Sequence, residues 1–262
     1  VSSMDFGMPF LLECPSIESA CALCAKLGLQ FVELNLSFPL CNLDALTAQR
    51  LNSLRARHGL YFTFHLDEEL APCVFDSRVR AAYVDCALRA ITLARETGTP
   101  TVNLHWPRGV YVTLPDRVTY LFENYREDYL QNARQFRDVC TQASEGHVNI
   151  CVENTNGFLP FQQEAVDMLL ESPAFGLTLD IGHDYTAHSV DAPYYARHAD
   201  KLRHMHAHDA QGSHCHLPFG GGDMAWPAQL RRAQQAGARA VIEVKTIAAL
   251  RESVALLRET AL

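Results

Sequence analysis

The sequence predicts a single α/β domain folded as a (β/α)8 barrel, the TIM barrel, and three observations carry this prediction. Eight short runs rich in β-branched and aromatic residues alternate with eight longer amphipathic stretches. The length of 262 residues suits one such barrel, for which about 250 residues are typical. No glycine-rich phosphate loop follows an early strand, so an open, doubly wound sheet is the less favoured alternative.

The expected strands are short and contain the residue types that favour extended structure. They cover residues 6–12, 31–36, 60–66, 101–105, 149–153, 176–181, 202–208 and 240–244.

The expected helices lie between and after these strands. They cover residues 17–27, 43–58, 78–97, 117–143, 161–170, 192–198, 227–235 and 247–260. Pro15-Ser16 and Asp76-Ser77 are suitable N-terminal caps, and glycine follows four of the helices, where a C-terminal cap favours it. No linker, low-complexity tract or charge block divides the chain, so we expect residues 1–262 to form one domain.

The composition excludes several classes of protein. Hydrophobic residues make up 48% and charged residues 20% of the chain, which is typical of a globular protein and not of a disordered one. The longest apolar runs have only strand length, so no membrane-spanning segment is expected. A net charge of −8 without a basic run weighs against a nucleic-acid partner.

The cysteines indicate a reducing environment. There are nine of them, an odd number, and the pair Cys21 and Cys24 falls within an apolar helical pattern. We therefore expect buried free thiols. Because no basic segment precedes an apolar core near the start of the sequence, no secretory signal is expected, and the predicted location is cytoplasmic.

Ionisable residues stand at or near the carboxyl ends of seven expected strands. These residues are Glu33, His65, His105, Glu153, Asp180, His206 and Glu243. The carboxyl ends of all strands of a parallel barrel meet at one face, where active sites lie. Because converging carboxylates repel one another unless a cation bridges them, this pattern predicts a divalent-metal site. Oxygen and imidazole ligands suit Mn²⁺, Co²⁺, Mg²⁺, Fe²⁺ or Zn²⁺.

Further histidines follow the sixth and seventh strands. His183 comes three residues after Asp180, on a turn that leaves the strand. His204, His206 and His208 face the same side of an extended strand, so one can bind a metal while another orients it. His214 and His216 follow before the glycine-rich segment 220–222, which could form a loop over the site or a flexible connector.

Five short motifs, in this order, resemble the superfamily that contains sugar isomerases and epimerases together with the endonuclease IV type of apurinic-site nuclease. The motifs are Val152-Glu153-Asn154-Thr155, Leu179-Asp180-Ile181-Gly182-His183, His206-Ala207-His208-Asp209, His216-Leu217-Pro218-Phe219-Gly220-x-Gly222 and Ile242-Glu243. The resemblance covers nearly the whole chain and implies a xylose-isomerase-like barrel.

The isomerase–epimerase branch implies one divalent ion. Its metal quartet corresponds here to Glu153, Asp180, His206 and Glu243. In that branch the two glutamates also lie on opposite faces of the sugar and transfer protons. The resemblance further implies that His183, and with it His65 and His105, contacts the substrate.

The nuclease branch implies three zinc ions and a larger ligand set, so two to three zinc ions are the alternative. The corresponding residues are His65, His105, Glu153, Asp180, His183, His206, His214, His216 and Glu243. The sequence departs from this pattern at His214, where the nucleases have aspartate. The acidic segment 67–69 after His65 would also repel a phosphate backbone.

The sequence hypothesis is therefore a metal-dependent isomerase or epimerase of a small sugar, keto sugar or related hydroxy-carbonyl compound. Glu153 and Glu243 would exchange protons through a metal-stabilised enediolate. Trp106 and Phe219 would pack on the sugar ring or within the barrel rim. The alternatives are a phosphodiesterase acting on abasic DNA and a sugar lyase or dehydratase. The expected partner is a small sugar-like molecule, and a homo-oligomer is possible.

Overall fold

Eight parallel strands close into a barrel in the computed structural model, which describes residues 4–261. The strands are β1 (Phe6–Pro9), β2 (Phe31–Asn35), β3 (Tyr61–His65), β4 (Thr101–His105), β5 (Asn149–Glu153), β6 (Phe175–Asp180), β7 (Leu202–Ala207) and β8 (Arg239–Ile242). Each strand pairs in parallel with its neighbours in the chain, and β8 pairs with β1 to close the barrel. The predicted (β/α)8 barrel is confirmed.

Helices surround the barrel and connect its strands. They are α1 (Ile17–Lys26), α2 (Ala48–His58), α3 (Ser77–Thr97), α4 (Leu121–Asn124), α5 (Arg126–Ser144), α6 (Pro160–Leu170), α7 (Ile181–Thr186), α8 (Ala192–Arg197), α9 (Trp226–Ala236) and α10 (Ile247–Glu259). No helix within residues 4–261 combines the length and the apolar character needed to cross a membrane.

Two short antiparallel hairpins stand at the carboxyl end of the barrel. The first rim hairpin pairs Tyr111–Thr113 with Val118–Tyr120, after β4. The second rim hairpin pairs Asp209–Gln211 with His214–Leu217, after β7. Neither hairpin was predicted from the sequence.

The predicted helix 117–143 was wrong at its start. Its first residues form the second strand of the first rim hairpin, because β-branched and aromatic side chains favour extended structure. The predicted helix 43–58 begins only at Ala48, where the Thr47 side chain caps the helix by accepting a hydrogen bond from the backbone N–H of Arg50. The predicted strand 6–12 ends at Pro9, and residues beyond it turn into the barrel mouth.

The predicted free thiols are confirmed. All nine cysteines are unpaired, and seven of them are buried. Burial raises the pKa of both the Cys21 and the Cys24 thiol to about 12. These thiols therefore remain protonated at neutral pH, which agrees with a packing role in α1 and not with a redox or zinc pair.

Polar side chains bond to one another across the inside of the barrel near its carboxyl end. Thr63 of β3 donates its hydroxyl to Glu33 of β2, and His204 of β7 contacts the same carboxylate. Asn103 of β4 donates to Glu153 of β5. Branched apolar residues usually fill this layer of such barrels. The polar layer forms the floor of the candidate site.

A glycine in β1 permits tight packing of the barrel wall. A Cβ atom at Gly7 would lie 2.4 Å from the ring of Phe31, its partner on β2, which is completely buried. We predict that Gly7→Ala lowers the free energy of unfolding by about 1–3 kcal/mol because the ring must shift within a packed core. Urea denaturation of the two proteins measures this difference, and an unchanged midpoint would show that the wall is more deformable than the structure indicates.

Candidate metal centre

Four side chains from consecutive strands converge at the carboxyl end of the barrel. Glu153 ends β5, Asp180 ends β6, His206 faces inward from β7, and Glu243 follows β8. The four potential ligand atoms lie within 4.8 Å of one another. His206 Nδ1 is 3.0 Å from Glu153 Oε1 and 3.1 Å from Glu243 Oε2. We call these four residues the quartet.

The carboxylates of the quartet are held in their ionised form. Burial raises the pKa of the Glu153 carboxyl, but attraction to His206 and His105 outweighs burial and holds this pKa well below its ordinary value. The same holds for Glu243, where attraction to His206 and to the His216 ring, 3.6 Å away, opposes the effect of burial. The quartet therefore concentrates negative charge in a region from which water is largely excluded.

The donor set and its unpartnered atoms fit a divalent cation. Glu243 Oε2 and His183 Nδ1 both face this region, are buried and receive no aligned hydrogen bond from the described residues. A buried polar atom without a partner costs about 1–3 kcal/mol. Carboxylate oxygens with one imidazole are ligands that Mn²⁺, Mg²⁺, Co²⁺, Fe²⁺ and Zn²⁺ accept.

The second carboxylate oxygen of Glu153, Oε2, is held by residues outside the quartet. This oxygen accepts a hydrogen bond from the Asn103 amide and lies 3.3 Å from His65 Nε2 and 3.6 Å from His105 Nε2. Burial lowers the pKa of His65, but its hydrogen bond and charge attraction to Glu153 raise that pKa to about 9. Oε2 is thus occupied, while Oε1 faces the quartet.

Asp180 is fixed by both its backbone and its side chain. Its backbone N–H and C=O bond to the Asn154 side chain at 2.9 and 3.0 Å, and its Oδ1 caps α7 by accepting the N–H of His183 at 2.6 Å. His208 Nε2 lies 3.1 Å from the same carboxylate. His208 Nδ1 accepts the backbone N–H of His216 at 2.8 Å. The second rim hairpin is therefore connected to Asp180 through one imidazole ring.

A cleft of about 250 Å³ opens above the quartet. It is smaller than the 300–1,000 Å³ that is typical of pockets for drug-sized ligands, so it suits a small molecule. The cleft brings together most of the predicted side chains, namely Glu33, His65, His105, Glu153, His183, His216 and Glu243. Asp180 and His206 lie beneath its floor, each at most 1% exposed.

Three predicted residues lie elsewhere. His214 is exposed on the second rim hairpin and joins none of the potential ligand groups found among residues 4–261. Trp106 is buried beside the barrel, where its Nε1–H donates to the Tyr129 hydroxyl at 2.7 Å. Phe219 stacks on Trp226 with ring centroids 4.3 Å apart. Neither aromatic residue lines the cleft. Their positions therefore agree with the alternative in which they pack within the barrel rim and not on the sugar ring.

The apolar wall of the cleft comes from residues that sequence reasoning did not assign to the site. Phe10, Leu11 and Leu12 follow β1, and Phe38 follows β2. The available signal was the apolar end of the predicted strand 6–12, at the face where the ionisable residues also converge.

The comparison with protein families agrees with the fold. The model of the family described as xylose isomerase-like TIM barrel matches residues 21–260. A search of curated protein sequences found no significant match.

Solved structures of sugar epimerases resemble the chain over almost its full length. A D-tagatose 3-epimerase-like protein is 25% identical, with a TM-score of 0.79 and coverage of 98% of this chain and 96% of the other. The 3-keto-D-glucoside 4-epimerase of E. coli, in its apo form, is 15% identical with a TM-score of 0.74, covering 98% and 100%. D-psicose 3-epimerase from Clostridium cellulolyticum H10, solved with D-tagatose, is 15% identical with a TM-score of 0.73, covering 98% of each chain. The latter two likenesses bear on the fold alone.

The contact between His208 and Asp180 depends on a glycine in α7. A Cβ atom at Gly182 would lie 1.8 Å from His208 Cε1, so the ring must move away. Alanine is the better helix former by about 1 kcal/mol, so the backbone alone would favour the substitution. We predict instead that Gly182→Ala destabilises the metal-free protein by about 1–3 kcal/mol and weakens Mn²⁺ binding about 10–100-fold.

Urea denaturation and Mn²⁺ titration measure these two effects. Thr186→Ala is the matched control, because that hydroxyl lies in the same short helix and bonds only to the backbone of His183. Wild-type Mn²⁺ affinity in Gly182→Ala would mean that His208 does not position Asp180.

Proposed function

Because the chain belongs to the xylose isomerase-like TIM barrel family, we propose that it is a divalent-metal-dependent epimerase or isomerase of a small, uncharged keto sugar. The observation that carries this proposal is the pair of carboxylates, Glu153 and Glu243, that both lie within 3.1 Å of His206 Nδ1 at the floor of a small cleft. The structural likeness to proteins described as sugar epimerases supports it.

The quartet would hold the cation. Bound there, a divalent ion such as Mn²⁺, Co²⁺, Mg²⁺, Fe²⁺ or Zn²⁺ supplies Lewis acidity, which polarises a substrate carbonyl and acidifies the neighbouring C–H. Asp180 and His206, both buried beneath the cleft, serve only as ligands in this proposal. Glu153 and Glu243 line the cleft itself and can therefore also reach the substrate.

The two glutamates would carry out the proton transfers. One carboxylate takes the proton from the carbon next to the carbonyl, and the C–H electron pair becomes the double bond of an enediolate. The other glutamate, which has taken up a proton from solvent before the step, gives that proton to the opposite face, which inverts the configuration of that carbon. The glutamates then exchange protons with solvent before the next turnover.

Other residues of the cleft would orient the sugar. His183 and His216 are partly exposed to the cleft and can hydrogen-bond substrate hydroxyls. Phe10 and Phe38 provide an apolar wall against the C–H face of the sugar.

The charges of the cleft favour a sugar without phosphate. Four glutamates, Glu33, Glu68, Glu153 and Glu243, line it, and Lys245 is the one lysine or arginine among its lining residues. Lys245 Nζ is already bonded to Glu243 Oε1 at 2.7 Å. Apart from the cation, an anionic substrate would therefore find no unengaged lysine or arginine among the lining residues, whereas a neutral polyhydroxy compound needs none.

The same charges weigh against the nuclease alternative. A phosphodiester backbone would approach a mouth that carries acidic residues, including Glu68. His214, a required member of the nine-residue ligand set, lies exposed on the second rim hairpin. A lyase or dehydratase would begin with the same proton abstraction and is distinguished by its product.

The proposal predicts solvent exchange at the epimerised carbon. With Mn²⁺ present, we expect at least one of D-fructose, D-psicose and D-tagatose to be epimerised in D2O with deuterium incorporated at the inverted carbon, measured by NMR. Glu243→Gln removes one of the two proton carriers and should lower turnover about 10²–10⁴-fold. Glu252→Gln, at an exposed position on α10, is the control and should retain wild-type turnover.

Full turnover in Glu243→Gln would contradict the two-carboxylate mechanism. Incision of an abasic DNA duplex without turnover of any sugar would replace the proposal with the nuclease. Loss of water from the sugar, instead of inversion, would indicate the lyase alternative.

A further inference from the structure

Glu33 is a buried carboxylate that the proposed proton transfers do not use. It lies on β2, is 4% exposed and contacts two histidines of β7 on the far side of the barrel. Its Oε2 accepts the Thr63 hydroxyl at 2.8 Å and lies 2.9 Å from His204 Nε2. Its Oε1 lies 2.7 Å from His206 Nε2. An isolated buried carboxylate costs several kcal/mol, so these contacts are needed to retain it.

The contacts of His206 define what each ring nitrogen does. Nδ1 faces Glu153 and Glu243 and is the nitrogen that belongs to the quartet. To donate a lone pair to a cation, Nδ1 must be free of hydrogen, so the proton must lie on Nε2. Nε2 is the nitrogen that meets the Glu33 carboxylate. The N–H is not aligned as in a regular hydrogen bond, so the attraction at 2.7 Å is chiefly electrostatic.

His204 and Thr63 keep Glu33 directed at His206. A neutral His204 with its hydrogen on Nε2 donates to Glu33 Oε2, beside the Thr63 hydroxyl that bonds the same oxygen. With Oε2 occupied by two donors, Oε1 is left for His206. The carboxylate therefore cannot turn away without losing two bonds.

We propose that Glu33 is a positioning residue for the metal centre. It holds the hydrogen of His206 on Nε2, keeps the ring oriented and makes Nδ1 a better ligand. A carboxylate on the remote nitrogen of a metal-binding histidine has this effect in general. The inference depends on the proposed quartet, but it concerns metal affinity and not the identity of the sugar.

Metal binding by a conservative variant tests the inference. Glu33→Gln keeps the size of the side chain and removes its charge. We expect it to weaken binding of Mn²⁺ about 10–100-fold, measured by titration against a competing chelator. Glu68→Gln is the matched control, because Glu68 lines the same cleft but its carboxylate accepts a hydrogen bond from the Asn35 amide and its backbone N–H donates to the Ser37 hydroxyl, away from the quartet. Its Mn²⁺ affinity should stay within about threefold of the wild type.

An equal loss of affinity in both variants would mean that the cleft's total charge matters and that Glu33 does not act through His206. Wild-type affinity in Glu33→Gln would also overturn the inference. If the wild-type protein itself binds no divalent ion, the proposed metal centre fails, which is a different result. Thermal unfolding of each metal-free variant separates lost affinity from lost folding.

A spectroscopic measurement on the wild type keeps the inference testable if Glu33→Gln does not fold. In the Zn²⁺-loaded protein, nitrogen NMR should assign Nδ1 of His206 as the zinc ligand and Nε2 as the protonated nitrogen. Zinc on Nε2, or a proton on Nδ1, would overturn the assignment.

Discussion

The stability of the barrel depends on offsetting the negative charges of several carboxylates that lie buried together at its carboxyl end. Glu33, Glu153 and Asp180 are each at most 4% exposed, and Glu243 adjoins them. Their mutual repulsion and lost hydration must be offset for the closed barrel to be stable. Histidines that contact each carboxylate supply part of this balance, and a cation in the quartet would supply the rest.

The need to offset these charges explains why the site includes residues other than the four ligands of the quartet. Asp180 both ends β6 and caps α7, so a single carboxylate sets a strand end, a helix start and a ligand position. Gly182 leaves the space that His208 needs, and His208 connects Asp180 to the second rim hairpin. The loops that cover the cleft and the residues that would hold the metal are therefore one connected structure.

Sequence reasoning predicted the barrel and the convergence of the strand-end residues for a physical reason, whereas the choice of the quartet among them came from the family resemblance. Strands and helices follow from local patterns, and a parallel barrel places every strand end at one face, so Glu153 and Glu243 are brought together by chain order alone. The bond between Glu33 and His204 could not be predicted, because it depends on distances across the barrel between residues 171 positions apart. The exposed position of His214 depends on the turn of a hairpin whose two strands have only three and four residues.

The most direct test of this account is the metal content of the chain, measured by elemental analysis on protein purified without chelator. The quartet predicts about one divalent ion per chain, lost when ligands of the quartet are replaced. Protein that contains no divalent ion and binds none when Mn²⁺, Co²⁺, Mg²⁺, Fe²⁺ or Zn²⁺ is added would contradict the metal centre. Two to three zinc ions per chain would contradict the single-ion epimerase and favour the nuclease.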